Sequence, residues 1–499
     1  MSISSLPSPY GIGTLGAEAR KFADFLAAGG QSCWQLLPVG PTSYGDSPYQ
    51  SFSSFAGNPY FIDLDTLAEE GLLKPEEFQF LNWGEDPEKV DYGLMYVTRY
   101  PVLHKACERL LGQNRPDFST FCQEQSGWLE DYAMFMALKD QYGGESWFGW
   151  PEDIRLRRPD AMEKAREELS GEVDFWKGVQ YLFFRQWNEW KKYANGLGLS
   201  IIGDLPIYVS GDSADVWASP EQFQLDGNGL PTEVAGCPPD AFTADGQLWG
   251  NPLFNWDKMK EDGYAWWLRR ISFQFKLYDT LRIDHFRGFD SYYAIPYGEK
   301  TAKNGTWRPG PGIEFFKTVN RTLGKKDIIA EDLGFLTPSV RKLLKDSGYP
   351  GMKILEFAFD SRDADSDYLP HRYPAHCVVY TGTHDNDTIQ GWMAAAPRKG
   401  VSFAKAYLRL TKREGYHWGM MRSAWASAAD LAVMQFQDLL GLGSEARMNI
   451  PSTLGNNWQW RALPGTFDEK LAKRLYRDMQ VYQRLPKAKK SAPKTRQSK

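Results

Sequence analysis

From about residue 262 the chain alternates between two periodicities. Apolar residues recur at helical spacing over 262–277, 312–323 and 338–346. Each stretch gives way to a short apolar run, at 279–284, 327–331 and 352–357, and two more runs follow at 376–381 and 431–436. Strands separated by helices are joined by crossovers, so they pair in parallel. A parallel sheet is covered on both faces, which is why its strands are almost wholly apolar. The runs at 33–39 and 200–204 have the same character and read as strands of the same sheet.

That alternation predicts an α/β protein, a (β/α)8 TIM barrel with inserted, largely helical subdomains. The strand runs begin at 33, 200, 279, 327, 352, 376 and 431. These are seven, where a closed barrel needs eight. The first strand is therefore expected to be missing or to lie in an atypical Met1–Ser4 stretch, leaving a parallel edge with unpaired backbone groups. Residues 64 to about 195 are helical in pattern and far longer than an ordinary crossover, so they read as a helical insertion. Residues 206–258 read as a long irregular insertion of functional character. The catalytic unit is expected to span 1–486, with 487–499 a disordered basic tail.

In such a barrel the functional groups stand at the C-terminal ends of the strands. Three runs end in acids there: Arg282-Ile-Asp284-His285, Ala330-Glu331-Asp332 and Thr383-His384-Asp385-Asn386. Alternate residues of a strand share a face, so Arg282 and Asp284 point the same way. A guanidinium beside a carboxylate favours the ionised form that a nucleophile needs. The plain alternative is a structural salt bridge. Glu331, if desolvated or set beside another carboxylate, would keep a proton at neutral pH and serve as an acid. Asp332 points to the opposite side and reads as a cap or core group. His285 and His384, next to two of the acids, are placed to donate hydrogen bonds. Asp204 also ends a strand and is placed to pair with Arg282, or else to cap a turn. Three converging carboxylates suit retaining glycoside chemistry, in which one attacks and another shuttles the proton.

Aromatic residues make up 15% of the chain, with 19 Trp, and aromatic faces stack on sugars as well as filling cores. Tyr49, Trp217, Trp249, Trp256 and Trp458 fall in loops, which favours them as stacking platforms. The net charge of −5 gives no basic field for nucleic acid. No apolar stretch is long enough for a membrane span. Five scattered cysteines with no CxxC pair argue against zinc and for a reducing, cytoplasmic setting. No HxH or HExxH spacing supports another metal, and no cofactor is expected. The N-terminus shows no export or transit signal.

The motifs Ser5-Leu-Pro-Ser-Pro-Tyr-Gly-Ile-Gly, Ser47-Pro-Tyr-Gln, Gly203-Asp-Leu-Pro-Ile, Asp212-Ser-Ala-Asp-Val-Trp, Arg282-Ile-Asp-His-Phe-Arg-Gly, Ala330-Glu-Asp-Leu-Gly and Thr383-His-Asp-Asn run in order from residue 5. Together they resemble the 4-α-glucanotransferases of glycoside hydrolase family 77, the amylomaltases, within the α-amylase clan. The resemblance implies transfer of α-1,4-glucan segments to another glucan or to glucose. It implies Asp284 as nucleophile, Glu331 as acid/base and Asp385 as the group that stabilises the transition state. It also implies sugar contacts from Arg282, His285, His384, Ser47, Tyr49, Asp204 and Asn457, and a lid at 236–252 carrying Trp249. Members of that family usually carry a short apolar strand before the Ser-Leu-Pro block. Met1-Ser-Ile-Ser stands in its place here, so either the reading frame begins upstream or a makeshift edge closes the barrel. A monomer or weak homo-oligomer acting on malto-oligosaccharides is expected. An α-glucan hydrolase and an inactive glucan-binding protein on the same scaffold are the rival readings.

Overall fold

A computed structural model describes residues 1–43, 45–239, 244–334, 336–359 and 366–486. The basic tail at 487–499 lies outside them. In chain order the strands are β1 (Cys33–Gln35), β2 (Ser200–Leu205), β3 (Glu233–Cys237), β4 (Gln247–Pro252), β5 (Thr280–Ile283), β6 (Ser291–Pro296), β7 (Thr306–Pro309), β8 (Ile328–Ala330), β9 (Gly351–Ile354), β10 (Cys377–Tyr380) and β11 (Leu431–Val433).

The seven apolar runs read from the sequence form a barrel-like parallel array, in the order β1-β2-β5-β8 and then β9-β10-β11. A hydrogen bond from the Ala330 amide to the Pro350 carbonyl, 2.9 Å, bridges the two groups. Inside, Ile202, Ile329, Met352, Ile354, Val378 and Tyr380 form one buried apolar cluster. Outside, the 27-residue helix Ser170–Gly196 buries Val173, Trp176, Val179, Phe183, Trp187, Trp190 and Ala194. Their spacing of three and four places them along one stripe. At Gly203 of β2 an added Cβ would land inside the ring of Tyr278. Only glycine lets that aromatic lie flat against the strand.

Among the described residues no strand pairs with the outer edge of β1 or of β11. Residues 1–6 do not supply one. They turn back on themselves, with the Leu6 amide bonded to the Ile3 carbonyl at 3.1 Å. The Trp34 indole donates to the Met1 carbonyl at 2.7 Å. A cavity of about 170 Å³ remains between the two edges, lined by Trp34, Gln35, Tyr380, Ala432 and Val433 among others.

Between β1 and β2 the chain is largely helical, with helices at Leu64–Glu69, Tyr92–Leu111, Pro116–Glu124, Ser126–Gln141 and Pro159–Glu168 before the long helix. The 206–258 stretch is less irregular than its composition suggests. It contributes β3 and β4 to an antiparallel sheet of order β4-β3-β6-β7. The sequence reading missed β6 and β7. Tyr292, Tyr293, Ala294 and Ile295 of β6 are all buried, so the strand lacks the alternation that marks a surface strand.

Candidate active site

The parallel register places the first pair. Asp204 stands directly opposite Arg282 across β2 and β5. Arg282 Nη1 is 2.7 Å from both carboxylate oxygens of Asp204 and 2.9 Å from Asp284 Oδ1. Burial works against the Arg282 charge, but Asp204 and Asp284 outweigh it and hold the guanidinium ionised, its pKa well above the ordinary value. One buried cation thus sets the position of the nucleophile candidate.

The next rung follows from the β5–β8 register. Ile283 pairs with Ala330, so Asp284 and Glu331 leave the ladder side by side. Adjacent strands lie about 4.8 Å apart, close to the roughly 5–5.5 Å between the carboxyls of retaining enzymes. Glu331 is buried. Its oxygens accept from the His285 amide at 2.7 Å and the Leu333 amide at 2.8 Å. Those bonds and Arg282 favour the carboxylate, yet desolvation first and the Asp284 charge second push its pKa up to about 7. His285 has a left-handed backbone, φ 51°, and burial drops its pKa to about 4, so its imidazole is neutral at pH 7. Asp332 turns away, as the alternation predicts, and accepts from the Met352 amide at 2.6 Å.

Across the opening, β10 delivers His384 and Asp385. The Tyr49 ring stacks on His384 with centroids 5.1 Å apart. Its hydroxyl donates to Asp204 Oδ2 at 2.7 Å. Asp385 Oδ2 is 3.4 Å from His384 Nε2, and Oδ1 accepts from Asn449 Nδ2 at 2.6 Å. Ser47, Tyr49, Trp249, Asp284, His285, His384, Asp385 and Asn449 line one cleft of about 550 Å³. Trp249, on β4, meets His285 edge-on with centroids 4.8 Å apart. Leu248 and Leu454, both exposed, line the same cleft.

The loop aromatics divide. Trp249 and Trp458 line the cleft. Trp217 is 1% exposed and bonds the Ile154 carbonyl, so it is a core residue. Trp256 packs among Phe254, Trp267, Phe289 and Phe315 and is likewise structural. Asn457 is not among the cleft-lining residues. Its side chain accepts from the Ile450 amide at 3.0 Å and donates to Thr453, so it braces the 450–457 loop.

Two groups escaped the sequence reading. Glu356 follows β9 as the other acids follow their strands, a signal masked because it falls inside the apolar run 352–357. It is buried beneath the 382–387 loop, and burial, with Asp438 and Asp387 nearby, raises its pKa well above the carboxylate range. Arg447 and Asn449 had no such signal, because they lie on a loop outside any periodic element.

The family model of the 4-alpha-glucanotransferases matches residues 1–465. The chain belongs to the 4-alpha-glucanotransferase family. It is 49% identical to the 4-alpha-glucanotransferase of Clostridium butyricum over 97% of this chain and 100% of that one. It is 47% identical to that of Thermus thermophilus over 97% of each. An amylomaltase from Streptococcus agalactiae in complex with acarbose superposes with a TM-score of 0.95 at 42% identity, covering 97% of this chain and 99% of that one. That likeness spans the segments carrying Asp284 and Asp385, which line the cleft, and Glu331, which is buried beside Asp284 and is not among the lining residues.

Proposed function

We propose that the cleft carries out retaining transfer of α-1,4-glucan segments, with Asp284, Glu331 and Asp385 as its working carboxylates. One observation carries the assignment of roles: Asp284 and Glu331 are neighbours on the ladder, yet one is paired to a buried guanidinium and the other is pushed up to about 7. A carboxyl set against a buried guanidinium suits the nucleophile, and one pushed up by desolvation suits the proton donor.

Asp284 attacks the anomeric carbon while Glu331 gives its proton to the departing 4-oxygen, so a glycosyl ester forms as the glycosidic bond breaks. Glu331, now ionised, takes the proton from the 4-hydroxyl of an incoming glucan or glucose, and that oxygen displaces Asp284. Two inversions leave the α linkage intact. Asp385 faces the sugar hydroxyls and the positive charge that builds on the ring. Arg282, His285, His384, Tyr49, Ser47 and Asp204 hold the sugar or the acids, and Trp249 supplies an aromatic wall. Leu248, Trp249 and Leu454 narrow the cleft and keep water from the ester, which favours transfer over hydrolysis.

In the same reading, residues 1–486 form one catalytic unit with insertions at about 64–195 and 206–258. It works on malto-oligosaccharides in the cytoplasm as a monomer or weak homo-oligomer. Incubation with maltotriose tests the reaction: transfer gives glucose and a ladder of longer oligomers, and shorter products alone mean hydrolysis. Asp284→Asn is expected to abolish turnover and retain glucan binding. Wild-type turnover by that variant removes Asp284 as the nucleophile.

A further inference from the structure

Asp385 is the least secured of the three acids. Its side chain is 46% exposed, and it stands on a loop beyond β10 rather than on the strand. Arg282 anchors Asp284, and two backbone amides anchor Glu331. Beyond the 3.4 Å contact of its Oδ2 with neighbouring His384, Asp385 is held by one segment from elsewhere in the chain, Arg447-Met-Asn449.

Three hydrogen bonds join the two segments, and a fourth lies within the second. Arg447 Nη2 donates to the Asp385 carbonyl at 2.6 Å, and its Nε donates to the Asn449 carbonyl at 2.8 Å. The Asn449 amide donates to the His384 carbonyl at 3.1 Å. Asn449 Nδ2 donates to Asp385 Oδ1 at 2.6 Å. One planar guanidinium therefore fixes the backbone of both the acid and its partner. With both backbones fixed, the Asn449 amide meets a single carboxylate oxygen.

We propose that Asn449 and Arg447 are positioning residues for Asp385, aiming its carboxylate at the reacting sugar. The proposal rests on the role given to Asp385 above. The amide is the suitable donor. It orients the carboxylate, whereas a lysine or arginine there would cancel the negative charge needed by the cationic transition state. Placement of this kind matters because a shift of about 1 Å in a reacting group costs on the order of 10²-fold in rate.

The test uses full-length Asn449→Ala, Arg447→Met, Arg447→Lys and Asp385→Asn. It measures kcat and KM for maltotriose, inhibition by acarbose, and melting temperature. Acarbose carries a flattened cyclohexene ring joined through a basic nitrogen in place of the glycosidic oxygen, so its affinity follows the fit to the transition state. For Asn449→Ala, kcat is expected to fall about 10²-fold with KM changed less than about threefold. Acarbose inhibition weakens while the melting temperature holds. Arg447→Lys keeps the charge without the fork and falls between parent and Arg447→Met. If Asp385→Asn is inactive but Asn449→Ala and Arg447→Met stay within about twofold of the parent kcat, the positioning role is wrong. It is equally wrong if kcat falls only in step with a lost melting temperature and a raised KM. Should Asp385→Asn itself keep the parental kcat, the role of Asp385 fails first.

Discussion

The sharpest quantitative consequence concerns Glu331. Its pKa stands at about 7 against an ordinary 4.5, a difference of about 2.5. That is a preference of about 3 kcal/mol for the protonated form in the folded protein. At pH 7 about half the molecules carry the proton, against roughly 0.3% for an unperturbed carboxyl, a gain of about 10²-fold in active acid. Above pH 7, kcat/KM for maltotriose is expected to fall tenfold per pH unit, because the free enzyme loses the proton needed for bond cleavage. α-Maltotriosyl fluoride, whose fluoride leaves without protonation, removes that requirement, so its kcat/KM stays flat over the same range. A matching decline with the fluoride, or no decline with maltotriose up to pH 9, refutes the assignment.

The same pKa has a cost in stability, and its sign can be worked out. Between pH 4.5 and 7 the folded state binds a proton at Glu331 that the unfolded chain has released. Stability therefore falls as pH rises through that window, by up to about 3 kcal/mol. Glu331→Gln has no proton to lose, so it is expected to unfold at higher denaturant than the parent at pH 8 and to lose that advantage toward pH 4.5.

His285 acts in the opposite direction: its folded pKa is depressed from 6.5 to about 4, so stability is lost as pH falls through that interval. His285→Gln is expected to resist acid better than the parent in denaturant titrations at pH 4–5, and an unchanged midpoint there would count against a buried neutral imidazole. Gly203→Ala drives a methyl group into the Tyr278 ring, and an overpacking loss of about 1–3 kcal/mol is expected in urea unfolding; parental stability would mean that the ring does not lie against β2. Hydrogen exchange should be faster at the alternate amides of β1 and β11 that face the seam than in β2 and β5, which are paired on both sides; equal protection would contradict an open seam.

How much could be read without coordinates follows from what generates each feature. β2, β5, β8 and β10 are apolar because they are buried on both faces, and their acids follow because strand ends open into the barrel mouth. Period and position therefore sufficed to place Asp204, Asp284, Glu331 and Asp385 at one end of the array, and their roles are the proposal above. The antiparallel sheet was hidden because β6 buries consecutive residues and β7 exposes all of Thr306–Pro309. Neither strand shows a period of two. Trp217, in the helix Ala214–Ala218, and Trp249, on β4, both fall in stretches rich in small and polar residues that read as loops, and only packing separates the core residue from the cleft wall. Glu356 falls inside the apolar run 352–357, and only the early end of β9 at Ile354 reveals it as a strand-end acid.

The open seam and the chemistry are kept apart by the order of strands. The Asp204–Arg282–Asp284–Glu331 chain runs along β2, β5 and β8, each paired or bridged to neighbours on both sides. Asp204 and Asp284 share one guanidinium within that block, so slack at the outer edge of β1 need not reach them. Asp385 is different, because it stands on a loop beyond the end of β10 at Tyr380 rather than on the strand. A carboxylate carried there cannot rely on the sheet for its aim. Arg447 and Asn449 tie it to the 447–458 loop, which is held through Trp460 and Arg461 to residues 88–89 and to Leu6 and Ser8. The acid carried beyond its strand thus takes its alignment from outside the barrel, whereas Asp204, Asp284 and Glu331 take theirs from the register of β2, β5 and β8.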